Sequence, residues 1–252
     1  MIASLPMYAR PSNRAAHDAL WALIRDGLRD RGLAAPDSLD HDTSHMAGWA
    51  RDDLVLSQIC NLPYRARFKD QVTLIGAADY GLDGCAPGYY RSVFVMRADS
   101  AAQCPQEMAQ DRFVCNEQLS QSGYGAAQLW ADRHGFQFRL HAETGSHNAS
   151  IAAVADSTAD IAAIDAQTWL IETAENPLTA QLKVIGHTDQ SPGLSFITCK
   201  GQDPKPHFDA IAEAINTLTP QDTTILGLKG IVALPQSAYD LPIPPKQAAI
   251  PA

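Results

Sequence analysis

The stretch that begins at Gly145 combines the residue types and spacing of an anion-binding site. Ser146 and His147 open an Ala-rich apolar run, which predicts a helix. A short hydrophobic strand is predicted next at 160–164, and Asp165 stands at its end. In open α/β sheets, ligands bind at helix N-termini and at the carboxyl ends of strands. The stretch therefore predicts a site in which Ser146, His147 and Asp165 face a ligand.

A second candidate anion site lies upstream, between a predicted strand and a helix that begins near Gly125. The connection contains Ser120, Gln121, Ser122 and Gly123. Serine hydroxyls and the first N–H groups of a helix together satisfy the oxygens of a phosphate-like group. The structural alternative is a serine N-cap followed by a glycine that permits a tight turn. One hydroxyl can serve both purposes, so both interpretations stay open.

Other candidate side chains have structural alternatives as well. Tyr8 and Tyr90 could close the site with an aromatic ring and a hydroxyl, although packed tyrosines would look the same in sequence. Gln58 stands near the end of a buried strand predicted at 53–59 and is a candidate for facing the ligand. Asp165 could instead cap the helix that follows it.

The sequence predicts no metal ion and no cofactor. The five cysteines show neither a C-x-x-C motif nor zinc spacing, and a bridge between Cys60 and Cys85 is left open. Cys60 has no base placed beside it, and no phosphate loop or Ser-His-Asp set is visible. His41 and His45 are interpreted as surface residues. These patterns favour binding over catalysis.

The composition limits the class of partner. The 252 residues are enough for one large domain or two lobes. A formal net charge of −9 and a pI near 5.2 argue against nucleic acid or an anionic membrane as partner. A small anion remains compatible, because helix N-termini reverse the potential locally. No run approaches the roughly 20 apolar residues of a membrane span, and the start lacks the features of a secretory signal.

Strands and helices alternate along the chain, which predicts an α/β fold. Two segments, 91–97 and the region 184–198, could cross between lobes. We therefore predict two lobes, each a mixed sheet flanked by helices, with the ligand cleft between them. The predicted boundaries are 1–90 with 195–252 for the first lobe, 91–194 for the second lobe, and 90–97 and 184–198 for the hinge.

Several motifs together resemble the PhnD-like family, the substrate-binding proteins of phosphate, phosphite and phosphonate ABC transporters. They are GSHNASIAAVADSTADIAAID from Gly145, SQSG from Ser120, and the opening strand that leads into PMY. A Q-x-C-x-x-P element from Gln58 to Pro63 is similar to that of a short branch of the family. The resemblance runs from about residue 1 to residue 200 and implies the type 2 periplasmic binding fold.

The resemblance also implies roles for individual residues. The family's phosphonate-binding Ser-Thr-Ser falls on Ser120, Gln121 and Ser122, where Gln121 departs from the pattern by replacing the middle hydroxyl. The oxyanion-binding histidine falls on His147. The acidic residue that faces a ligand amine or the P–H end falls on Asp165.

The function that the resemblance implies is a non-enzymatic solute-binding protein for a small phosphate-, phosphite- or phosphonate-like anion. Its expected partner is an ABC transporter permease, its expected state a monomer without membrane insertion, and its expected location the periplasm. The missing secretory signal keeps a cytoplasmic location open. The alternative function is a cytoplasmic small-molecule sensor or an enzyme similar to those of thiamine-pyrimidine synthesis, which share this fold.

Overall fold

A computed structural model describes residues 1–248 as an α/β protein that divides into two compact units. Unit 1 contains Met1–Tyr89 and Pro192–Asp240. Unit 2 contains Tyr90–Ser191 and the segment that begins at Leu241. The chain therefore passes between the units three times.

Both units contain strands and helices. The strands are β1 (Ile2–Ala3), β2 (Leu54–Ile59), β3 (Val72–Asp79), β4 (Tyr89–Tyr90), β5 (Ser92–Arg97), β6 (Phe113–Cys115), β7 (Leu140–Glu143), β8 (Ile161–Asp165), β9 (Leu182–His187), β10 (Ser191–Pro192), β11 (Ser195–Cys199) and β12 (Gly230–Val232). The α-helices are α1 (Arg14–Asp30), α2 (His45–Trp49), α3 (Asn61–Pro63), α4 (Ala126–Arg133), α5 (His147–Ala155), α6 (Ala166–Glu175), α7 (Pro204–Thr217) and α8 (Pro220–Leu226). Helix α3 continues into a π-helical segment at Tyr64–Phe68, and another at Gln121–Gly125 precedes α4.

Unit 1 is built on a sheet with the strand order β1-β2-β11-β3-β12. Strand β1 is parallel to β2, and β11 is antiparallel to both β2 and β3. Strands β1, β2 and β3 therefore point in one direction and end at the same edge of the sheet. The core contains Trp21 and Ile24 from α1 together with Ile211 from α7, and a second cluster contains Trp49 and Phe68.

Unit 2 has the strand order β7-β6-β8-β5-β9. Strand β6 is parallel to β7 and to β8, whereas β5 is antiparallel to β8 and β9. Phe94, Phe113 and Phe138 pack with Trp130 of α4 in one core cluster. Helix α5 contacts β5, β6 and β8. The carboxyl ends of β6, β7 and β8 lie at one edge of this sheet.

The segment 241–248, here called the C-terminal strap, packs on unit 2. The backbone N–H of Leu140 donates to Oε1 of Gln247 over 3.0 Å, and Nε2 of Gln247 donates to the carbonyl of Phe138 over 3.0 Å. The hydroxyl of Tyr124 donates to the carbonyl of Pro245. The sequence placed this segment in the first lobe, and these hydrogen bonds assign its described part to unit 2 instead. The last residues that the sequence placed in the first lobe, 249–252, lie outside the described residues.

Strand β7 is short and begins only at Leu140, two residues after Phe138. The carbonyl of Phe138 accepts from the side-chain amides of Gln128 and Gln247, so it bonds to side chains rather than to a neighbouring strand. Among residues 1–248, no helix is both long enough and apolar enough to cross a membrane.

Candidate functional site

Three predicted site segments follow neighbouring parallel strands of unit 2. The segment that contains Ser120 and Ser122 follows β6, Ser146 and His147 follow β7, and Asp165 ends β8. Parallel strands deliver the residues that follow them to the same edge of a sheet. The fold therefore gathers these segments, although they come from separate parts of the sequence.

The residues from Ser120 to Gly125 form the start of a helix. Ser120 has extended backbone angles, and its Oγ accepts a hydrogen bond of 3.0 Å from the N–H of Gly123. The Ser120 carbonyl accepts from the N–H of Gly125 over 2.9 Å, which produces the π-helical turn. Ser120 is thus a helix N-cap, as its residue type favours. The N–H of Gly123, which the sequence placed among the ligand donors, is bonded to this cap.

Ser122 and His147 join the two helix starts directly. Ser122 Oγ lies 2.8 Å from Nε2 of His147, and 3.4 Å from Oγ of Ser120. All three side chains carry donors that suit the oxygens of an anion. The structure therefore brings together the hydroxyls and the imidazole that the sequence predicted from separate motifs.

The start of α5 is fixed to the end of β6 by the backbone. The N–H of Gly145 donates to the carbonyl of Asn116 over 2.8 Å, and Gly145 has a positive φ of 87° that suits glycine. Ser146 then caps α5, because its Oγ accepts from the N–H of Ala149 over 3.0 Å. These bonds hold His147 at the first position of its helix.

Asp165 caps the helix that follows it. Its Oδ1 accepts a hydrogen bond of 2.9 Å from the N–H of Thr168, and the residue is only 3% exposed. The capping alternative considered from the sequence is therefore present in the structure. A contact between Asp165 and a ligand remains a prediction.

Gln121, the residue that departs from the family pattern, is turned toward Ser191 of strand β10. It is buried, and its Nε2 lies 3.3 Å from Oγ of Ser191. The amide thus has a partner within its own unit. Its predicted ligand contact stays a prediction.

The remaining predicted site residues lie on other elements. In unit 1, the ring of Tyr8 meets that of Tyr80 edge to face at 5.0 Å, and Nε2 of Gln58 lies 3.5 Å from the Tyr80 hydroxyl. The carbonyl of Gln58 accepts from the indole N–H of Trp49 over 2.8 Å. Tyr90 is buried in β4, where the chain enters unit 2.

Sequence reasoning missed two residues that support the Ser120–Gly125 turn. Ser92 donates from its Oγ to the carbonyl of Ser122 over 2.9 Å. Oδ1 of Asn116 is buried against Gly123, where a β-carbon would overlap it. Ser92 lies in β5 and Asn116 directly follows β6, so only their neighbours in the fold reveal them.

The described residues contain no candidate metal site. Within 1–248, no group of three or more His, Cys, Asp or Glu side chains is arranged to hold an ion. The arrangement at the unit 2 edge consists of hydroxyls, an imidazole and helix N-termini, which together can bind an anion.

Comparison with known proteins assigns the chain to a family. Residues 43–239 match the family described as "ABC transporter, phosphonate, periplasmic substrate-binding protein". The chain belongs to this family. No curated protein sequence matches it.

Solved structures show the same fold for this family member. PhnD1 from Prochlorococcus marinus, in complex with methylphosphonate, matches with a TM-score of 0.69 and 17% identity, covering 95% of this chain and 94% of that one. A Xanthomonas citri protein bound to chloride ion matches with a TM-score of 0.68 and 13% identity, covering 94% of this chain and 92% of that one. A binding protein component of an ABC phosphonate transporter from Pseudomonas aeruginosa matches with a TM-score of 0.65 and 15% identity, covering 94% of this chain and 82% of that one. The fold is that of the two-lobed periplasmic binding proteins.

Proposed function

We propose that this family member binds a phosphate-, phosphite- or phosphonate-like anion and delivers it to an ABC transporter permease in the periplasm. The observation that carries the proposal is the 2.8 Å contact between Ser122 and His147. It joins the starts of two helices at the edge of the unit 2 sheet. The family match supports the same class of ligand.

The chemistry of the proposed site follows from its donors. A tetrahedral oxyanion presents several oxygens, and the Ser122 hydroxyl, the His147 imidazole and the first N–H groups of α5 each donate to one of them. Hydrogen bonds to a charged group contribute about 1.5–3 kcal/mol each. The positive ends of two helices add to this attraction even though the whole chain carries −9 charges.

We extend the proposal to the other predicted ligand contacts. Gln121 and Asp165 contribute from unit 2, and Asp165 combines this role with its cap. Tyr8, Gln58 and Tyr90 supply aromatic and amide groups. A Ser–His pair also occurs in hydrolases, but the family is one of solute-binding proteins, so we assign the pair to binding rather than to catalysis.

A thermal-shift screen tests the proposal. The full chain is heated with phosphite, phosphate or methylphosphonate at millimolar concentration, with an uncharged sugar as control. Binding to the folded state raises the melting temperature in proportion to the logarithm of ligand excess over Kd. A rise with at least one oxyanion and none with the sugar is the expected result. No rise with any of the three anions would refute the proposed ligand class.

A further inference from the structure

Asn61 is a buried amide whose polar atoms lack partners in the described chain. Its side chain is only 2% exposed, and within residues 1–248 neither Nδ2 nor Oδ1 has a hydrogen-bond partner. Buried amides in folded proteins are almost always hydrogen-bonded, because an unsatisfied one loses its water without compensation. Two unsatisfied atoms on one side chain therefore indicate a partner that lies outside the described residues.

The position of Asn61 places it at the edge of the unit 1 sheet where β2 and β3 end. Ser195 in β11 is paired with Ile59 on one side and with Ala77 on the other, so these two residues lie at the same level of the sheet. Asn61 follows Ile59 by two residues, and Tyr80 follows Ala77 by three. The carboxyl ends of β2 and β3 thus bring Asn61 to the edge that carries Tyr80. Ligands of open α/β sheets bind at such edges.

Two other proposed ligand contacts share this edge. Tyr8 follows β1, which is parallel to β2, and its ring packs on Tyr80. Gln58 directs its amide toward the Tyr80 hydroxyl. Asn61 therefore lies at the same edge as Tyr8 and Gln58, which were predicted from the sequence as ligand contacts, whereas Asn61 was not.

We infer that Asn61 is a further ligand-contacting residue, which binds the oxyanion through both atoms of its amide. The Nδ2 group donates to an unprotonated oxygen, and Oδ1 accepts from a P–O–H group. A singly protonated phosphonate or phosphate offers an acceptor and a donor, and the amide complements both. The inference rests on the proposed oxyanion-binding function.

A buried water molecule is the competing partner, and it makes a different prediction. A water would satisfy the amide without involving the ligand. Replacing Asn61 by leucine would then change only the stability of the protein. If the partner is the ligand, the same replacement lowers the affinity for the ligand. The ligand-free protein is not destabilised, because the replacement removes an unsatisfied buried amide.

Calorimetric titration of the full chain with methylphosphonate separates these cases. The variants are Asn61→Leu, which is apolar and similar in size, and Asn61→Asp, which keeps the shape but sets a carboxylate against the anion. Asn216→Leu makes the same chemical change at an exposed position of α7 and serves as the control. The melting temperature of each ligand-free variant is measured in parallel.

The inference predicts that both Asn61 variants bind methylphosphonate about tenfold more weakly or worse, as expected for the loss of a hydrogen bond to a charged group. Asn61→Leu should not lower the melting temperature of the ligand-free protein, and the control should keep its affinity. If Asn61→Leu does not fold, the affinity of Asn61→Asp decides. Wild-type affinity in the Asn61 variants that fold would overturn the inference alone. No binding by the wild-type protein would overturn the proposed function and this inference with it.

Discussion

Gly123 permits the close approach of the Asn116 side chain. A β-carbon at this position would overlap Oδ1 of Asn116, so Gly123→Ala must displace that amide. Overpacking of this kind typically lowers the free energy of unfolding by about 1–3 kcal/mol. We expect Gly123→Ala to be destabilised by that amount in urea unfolding.

The companion substitution Asn116→Ala tests the cause. It removes the overlapping atom, so Gly123→Ala should cost less in the Asn116→Ala background than in the wild type. A double-mutant cycle measures this coupling. Strictly additive effects would mean that the glycine is needed for another reason.

The residue types of the site could be predicted from sequence, but their contact could not. Ser122 and His147 are each marked by a local pattern, a polar helix start after a strand. Their hydrogen bond joins residues 25 positions apart and depends on β6 and β7 being adjacent and parallel. Local patterns do not encode that adjacency. Asn61 and Asn116 carry no local signal, since only their surroundings distinguish them from surface asparagines.

At the scale of elements, Asp165 stabilises the start of α6. Its carboxylate accepts from the N–H of Thr168, and removing an N-cap typically costs about 1 kcal/mol. Asp165→Ala should therefore lower the urea unfolding midpoint, whereas Asp165→Asn keeps a capping oxygen and should lower it less. Equal losses in both variants would contradict the capping role. Titration of Asp165→Asn with methylphosphonate tests the separate ligand contact.

The contact between the C-terminal strap and Tyr124 should make the stability of the protein depend on pH. Burial raises the pKa of Tyr124 to about 12 from its ordinary value of 10.0, and the protonated hydroxyl donates to the carbonyl of Pro245. The raised pKa contributes stability that is complete below about pH 10 and is lost as the pH rises toward about 12. Tyr124→Phe removes both the hydroxyl and this dependence.

Urea unfolding at about pH 9 and about pH 11.5 measures this effect. The wild type should lose more stability between the two pH values than Tyr124→Phe. Burial also raises the pKa of Tyr239, so part of the alkaline loss should persist in the variant. An identical loss in both proteins would mean that Tyr124 does not contribute.

Elements with a strong period were predicted well, and elements that depend on distant partners were not. The apolar runs of β2 and β8 were visible in sequence as strands predicted at 53–59 and 160–164. Strand β12 has only three residues, Gly230–Val232, and exists because it pairs with β3. The strap was assigned to the wrong unit because prolines end regular structure without indicating where the chain then packs.

The net charge of the whole chain and its family are both compatible with a small ligand as partner. A net charge of −9 disfavours nucleic acid and anionic membranes, so the attraction for an anion must be local. In the proposed function, two helix starts joined at one sheet edge provide such a local site. The family match extends to residue 239, beyond the stretch that carried the resemblance in sequence.

We propose that the chain binds a small phosphorus oxyanion through Ser122 and His147. Calorimetric titration of the wild type and His147→Ala with phosphite, phosphate and methylphosphonate tests it most directly, with His141→Ala as a control on the neighbouring strand. We expect the wild type and the control to bind at least one anion one to one, and His147→Ala to bind it about tenfold more weakly or worse. Equal affinity in all three folded proteins, or no binding by the wild type, would contradict it.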